Sequence, residues 1–384
     1  MRYYKKKNIY IIYDTIDLKG ATWYLPEGIS LNIKGGLLRN GAVVGNKNTL
    51  LYKGIVFDHV KIGGTWFVPE ISTSMFSDLS YENSLKDVFA LTTPEIENKV
   101  YIEKGNYYLS ASRDFERCLC LVSDLDVTIN GTIFLIPNSF EGYSMIFING
   151  NHVTLHGNGS IIGDKPNHLG TRGEWGMGIE VHESNKVKVS DITVKDCWGD
   201  CIYVGGGSNN VHIENCLLDN GRRQGISVTS ASDVYINGCT IANVEGTSPQ
   251  YAIDLEPNAG ETVDNIFIDR VKAINCQGGI MCYGRAENAV IGLIKIRDCM
   301  IEGANRCPLH FEKGKSVTIE KCILHNNDAN LMIECQDVDV ARVENNTIIT
   351  SKRLSIEKTI SVNNFRIKRV KNNKINNLIE HERD

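Results

Sequence analysis

The chain has 384 residues, 42% of them hydrophobic, with 41 basic against 46 acidic side chains and a net charge of −5. It could fill two or three ordinary domains unless a repeat absorbs it, and it has no polybasic run suited to nucleic acid. The opening MRYYKKKNIYIIY joins a basic stretch to an apolar one too short for a signal-peptide core or a membrane span. The expectation is therefore no nucleic-acid partner, no membrane span and no leader within this chain. The compartment stays unknown, with an extracellular, cell-surface or virion role open if a leader is missing.

In chain order, residues 1–78 read as a β-rich segment or as irregular early coils, on the evidence of NIKGGLLRNGAVVG and FDHVKIGGTWFVPEI. The period then changes. Asn83 or Ser84 can cap a helix over about 83–92, with Leu85, Val88, Phe89 and Leu91 on one face. Such a helix would cover the open edge of the β-structure that follows.

Residues 79–384 are read as one repeat domain. A pattern of the form V-x-I-x-x-C recurs as VKVSDI at 187, VHIENC at 211, VYINGC at 234, IKIRDC at 294, VTIEKC at 317 and VARVEN at 340. The segments VTINGT at 127, VTLHGN at 153 and IFIDRV at 266 fit the same template. A second short strand follows in each unit: CIYV at 201, GISV at 225, AIDL at 252, GIMC at 279, PLHF at 308 and LMIE at 331. Steps of mostly 23 or 24 residues, Asn/Gly corners and almost no helical period predict stacked coils of short strands. The predicted fold is all-β, a right-handed, single-stranded parallel β-helix of roughly ten coils, its hand taken from the general chirality of parallel crossovers. Cys216, Cys239, Cys299 and Cys322 share one repeat position and read as small core residues, neither a disulfide framework nor a metal site.

LKDVFAL followed by KVYIEKGNYYLS resembles the entry segment of the pectate-lyase-like superfamily, keeping Gly105 and Tyr107 of a P-x-G-x-Y turn and lacking its proline. Together with the coils the resemblance covers roughly residues 80–375. It implies the pectin-lyase fold and leaves the activity open, since that superfamily holds hydrolases, lyases, epimerases and phage tail-spike depolymerases.

If alternate residues of the second strands face inward, Ile202, Ile226, Ile253, Ile280, Leu309 and Met332 form a core lane. The next outward lane reads Tyr203, Ser227, Asp254, Met281, His310 and Ile333, and the one after it Gly205, Thr229, Glu256, Tyr283 and Glu312. Asp254 and Glu256 thus project from one face about 6.6 Å apart at the backbone, which suits the paired carboxyls of glycoside hydrolysis. With Asn258 they could instead hold calcium; no cofactor is otherwise required. Arg222, Arg223 and Gln224 lie at the adjoining corner and Asp200 at the corner below Tyr203. WGDCIYVGGG and GRRQGISVTS resemble the polygalacturonase segments DDC-I-x-I and GHG-x-S-I-x-S, with Cys201 in place of the second aspartate and Gln224 in place of the histidine. Only Asp200 carries over. The polar stretch GDKPNHLGTRGEWGMGIEV, with His168, Arg172, Glu174 and Trp175, could hang over the groove or fold as a structured corner, and His310 with Glu312 could form a further sugar subsite.

Three functions follow. The first is a polysaccharide hydrolase with Asp254 and Glu256 as acid and base, assisted by Asp200. The second is a polyuronate lyase, with calcium possible and Arg223 or a tyrosine as base. The third is a non-catalytic glycan-binding surface or phage tail protein, monomeric or trimeric. In each the partner is a polysaccharide or oligosaccharide.

Overall fold

The structure is a computed structural model and describes residues 3–6, 8–327 and 329–377. The ends of the two assigned segments, 1–2 and 378–384, lie outside the described residues. Two long, almost wholly parallel sheets run the length of the repeats, one of 11 strands and one of 21. A typical coil has two strands in the larger sheet, such as Trp175–His182 and Asn185–Ser190, and a short third strand, Thr193–Lys195, in the smaller. This is a parallel β-helix of about eleven turns. Its corners fall on residues in the left-handed region, among them Asn210, Asn215, Asn220, Asp233, Asn243 and Asn275. Short polar side chains tolerate that conformation best among non-glycine residues, which is why the corners of the repeat are rich in asparagine.

The registers stack like on like. Val187, Val211, Val234, Ile266, Ile294 and Val317 pair in succession, as do Ile202, Ile226, Ile253, Ile280 and Leu309. All are buried, so each coil lays its apolar stripe on the next. The four lane cysteines are free and buried, and each thiol donates to the carbonyl two residues earlier, as Cys216 does to Glu214 O at 3.4 Å and Cys299 to Arg297 O at 3.3 Å. At this bend a small apolar side chain with one weak donor fills the core and occupies a carbonyl. Asn346 continues the lane, accepting from Cys322 N and donating to Ile319 O.

Two expected registers slip by one residue. Leu309 pairs with Ile333, not Met332, and Val317 with Ala341, not Val340. The run Leu331-Met332-Ile333 has no alternation to fix a face, and Val340 looks more strand-like than Ala341 although Ala341 is the buried one. The slip turns Ile333 inward and brings Glu334 onto the outward lane beside His310.

At the N-terminal end a seven-stranded sheet occupies residues up to Phe67 and is built around the paired strands Leu38–Leu51 and Phe57–Phe67. The strand Glu70–Ser72 pairs in parallel with Lys99–Tyr101, so a strand meets the edge of the first coil. The helix is only Leu85–Phe89, shorter than 83–92, and neither proposed cap serves it. Ser84 Oγ donates to Leu79 O and Asn83 to Ser110 Oγ. Asp87 instead ties the helix to the neighbouring strand, accepting from Lys61 Nζ at 3.0 Å and Ile62 N at 3.1 Å.

Candidate active site

The second strands present one outward lane that runs Glu180, Tyr203, Ser227, Asp254, Met281, His310, Glu334. Along the first half of this face lies a cleft of about 310 Å³. Tyr143, Trp175, Tyr203 and Phe115 give it aromatic walls, and Arg117, Glu180, His182, Arg223, Glu256 and Asn258 give it polar ones. Trp175 and Phe115 are exposed at the rim with ring centroids 5.8 Å apart.

The corner Gly221–Gly225 delivers Arg223 to the cleft. Arg223 N donates to Gly199 O at 3.1 Å, seating the guanidinium over the preceding coil. There it lies 3.6 Å from Asp200, 3.6 Å from Glu256 and 3.7 Å from Glu174. None of these contacts is a hydrogen bond of good geometry, and Arg223 Nε, both carboxyl oxygens of Asp200, Ser227 Oγ and Asp254 Oδ1 are buried without one. Burial pulls Arg223 down, yet Asp200, Asp254, Glu174 and Glu256 together hold it above the ordinary arginine value. Gln224 donates from Nε2 to Asp254 Oδ2 at 2.7 Å and accepts from Tyr251 N at 2.8 Å.

Burial dominates both aspartates. It pushes Asp200 up to about 6, against the pull of Arg223. It raises Asp254 well above the carboxylate range, reinforced by the charge of the neighbouring Glu256. Both causes favour the protonated form of Asp254 over the ionised one.

Several expected placements change. Asp254 and Asp200 do not stand in an open groove; they are 1% and 0% exposed and lie behind Arg223 and Glu256, because the stretch 173–175 and the 221–225 corner cover them. Gln224 and Ser227 are buried too, and neither lines the cleft. Arg222 is drawn off to lie 3.8 Å over the Trp198 ring and to donate to Gly173 O. The His168 side chain is fully buried, its Nδ1 2.8 Å from Asp164 Oδ2 and its ring stacked 3.8 Å from Trp198. Asp164 also accepts from Tyr143 and Asn138, so this stretch is a packed corner and not a free loop. Arg172 points away and pairs with Glu141, and Tyr283 is outside the cleft walls. Tyr203 bonds Thr229 at 2.7 Å on the cleft floor, and Glu256 and Trp175 line it. Of the oxygens considered for calcium, Asn258 turns to Glu261 and Asp254 to Gln224; among the described residues no three acidic, histidine or cysteine side chains converge as a metal site.

His310 and Glu312 sit apart, beyond Met281 on the same face. His310 is 2.9 Å from Glu334 and 3.0 Å from Glu312, while Arg285 bonds Glu312 and Asp337. The sequence reading missed Glu180, which accepts from Ser144 Oγ, as well as His182, Phe115 and Arg117, whose guanidinium lies 3.7 Å over Phe147. Aligning GIEV at 178 with CIYV at 201 would have placed Glu180 on the Tyr203 lane.

The family described as right handed beta helix region matches residues 132–293. Two Bacillus subtilis (strain 168) proteins are similar in sequence. The SPbeta prophage-derived uncharacterized protein YorA is 32% identical over 142 residues, 31% of this chain and 24% of YorA; the uncharacterized protein YclG is 28% identical over 194 residues, 43% of this chain and 33% of YclG. The chain therefore matches a third or less of either relative's length. Among solved structures, the endo-xylogalacturonan hydrolase from Aspergillus tubingensis superposes with a TM-score of 0.60 at 13% identity, covering 80% of this chain and 93% of that one. The fold is thus a right-handed parallel β-helix of the pectin-lyase type. Among the described residues no helix is long and apolar enough to cross a membrane.

Proposed function

We propose that this chain is a carbohydrate-active β-helix protein that hydrolyses glycosidic bonds of a polysaccharide, with Asp254 as general acid, Glu256 as its carboxylate partner and Asp200 in support. One observation carries the reading: a fully buried carboxyl, whose surroundings favour its protonated form, adjoins an ion-paired carboxylate that lines an aromatic-walled cleft. Hydrolysis needs that division of labour between two carboxyl groups. Exposed Trp175 and Phe115 offer the apolar faces on which sugar rings stack. Arg223 would steady the carboxylates and any charge that develops between them.

Elimination has less support. A lyase base must give up its proton, whereas the acidic side chains around Arg223 hold its guanidinium above the ordinary arginine value and burial raises the hydroxyls of Tyr203 and Tyr251. Binding without turnover is favoured by one fact, the burial of both aspartates behind Arg223.

The test is incubation with a panel of plant, host and bacterial polysaccharides and product analysis by mass. Hydrolysis adds one water per cleavage and gives no product absorbing at the ultraviolet edge. Unsaturated products would replace the proposal with elimination, and binding with no cleavage of any polymer would replace it with a glycan-binding role.

A further inference from the structure

Gln224 is fully buried at the corner that delivers Arg223, and it touches no part of the cleft surface. Its orientation is determined by its neighbours. The Tyr251 backbone N–H can only donate, so the atom it meets at 2.8 Å is the amide oxygen, and the amide nitrogen must be the atom 2.7 Å from Asp254 Oδ2. An oxygen that accepts from this N–H is the unprotonated one. A proton carried by Asp254 therefore sits on Oδ1, which is buried without a hydrogen bond.

We propose that Gln224 is a positioning residue for the general acid: by occupying Oδ2 it holds the Asp254 proton on Oδ1 and stabilises the carboxylate left when that proton departs. The inference rests on the reading of Asp254 as the acid. In the step itself the Oδ1 proton passes to the glycosidic oxygen as the bond from that oxygen to the sugar's anomeric carbon breaks; water bonds to that carbon and gives a proton to the Glu256 carboxylate, and Asp254 becomes an anion. The Gln224 N–H···Oδ2 bond then changes from neutral to charge-assisted, so it is stronger in the transition state than before it. The charged and titratable groups facing Asp254 are Glu256, Arg223, Asp200, the Tyr251 hydroxyl and the Cys282 thiol, from several coils.

The test compares Gln224→Leu and Gln224→Glu with Asp254→Asn in the full chain. Without the donor, the Asp254 anion loses a stabilising bond and its proton is held more tightly. Acid catalysis lasts while Asp254 is protonated, so the alkaline limb of the kcat/KM profile should move to higher pH in Gln224→Leu. Its kcat should fall about tenfold or more with KM unchanged, the scale of one hydrogen bond to a charged group. Gln224→Glu keeps the acceptor for Tyr251 N and serves if the leucine variant does not fold; it should show the same kcat loss at constant KM. A kcat within about twofold of wild type and an unmoved limb, with Asp254→Asn inactive, would overturn the role of Gln224 alone. An active Asp254→Asn would overturn the reading beneath it.

Discussion

Two clusters of acidic and basic side chains lie on the same outward lanes of the coils, separated by Met281 and Tyr283, and they are built oppositely. Around His310 every partner is taken. Its two ring nitrogens face Glu334 and Glu312, and Arg285 bonds both Glu312 and Asp337. Burial works against the charge of Glu312, but Arg285 and His310 hold it below the usual carboxylate range. Around Arg223 the carboxylates stand 3.6 to 3.7 Å off, and the oxygens of Asp200 and Oδ1 of Asp254 make no hydrogen bond of good geometry. A satisfied network rigidifies a surface; a buried one left incomplete costs stability and persists where it serves a task.

The largest expected effect breaks this comparison at its centre. Asp254→Asn retains a carbonyl oxygen to accept from Gln224 but has no acid proton, and turnover should fall about 10²- to 10⁴-fold. His310→Gln should leave turnover within about twofold, since its contacts are confined to its own cluster. Initial rates on the polymer found by the substrate screen check both, and equal losses would dissolve the distinction.

Next is a stability effect of Asp200. Burial sets its folded value at about 6 against the ordinary 3.8, so the folded chain binds this proton more tightly than the unfolded one. The associated stability is full below about pH 4 and is lost as the pH rises through about 6, at most about 3 kcal/mol in all. Asp200→Asn removes this titration. Denaturant unfolding at pH 4 and pH 8 should show wild type losing more stability than the variant across that interval; parallel curves would mean that Asp200 is already ionised at both.

Trp175→Ala should act on binding and not on chemistry. The ring is 43% exposed at the cleft rim and offers an apolar face with no acid or base, so KM should rise about tenfold with kcat unchanged. A kcat loss without a KM change would place the ring at the reacting centre.

Much of this architecture is written in the repeat. Branched aliphatic residues two apart and corner asparagines define coils, faces and lanes, and so place Asp254 and Glu256 on one strand face. What the lanes cannot show is cover. Asp254 is buried because Arg223, one coil away, and Glu174, in an interruption of the repeat, close over the aspartates. His168 looked like a loop residue because its partners Asp164 and Trp198 meet it only through the turn that ends at Trp175. Glu334 was hidden by the apolar run Leu331-Met332-Ile333, whose lack of alternation misplaced the strand by one residue.

That residue supplies the smallest and most discriminating change. Glu334→Gln keeps a carbonyl oxygen that can accept from His310 Nδ1 and removes only the charge of a pair whose side chains are 20% and 25% exposed. Partly solvated ion pairs contribute little, so unfolding should shift by about 1 kcal/mol or less and hydrolysis should not change. Glu256→Gln makes the same chemical substitution three coils closer to the N-terminus on the adjoining lane, beside buried Asp254, and should remove most of the activity. The pair of variants holds chemistry constant and varies only whether the neighbouring hydrogen bonds are complete. If Glu334→Gln slowed turnover as much as Glu256→Gln does, the reacting centre would lie at the satisfied cluster and the argument from orphaned oxygens would fail.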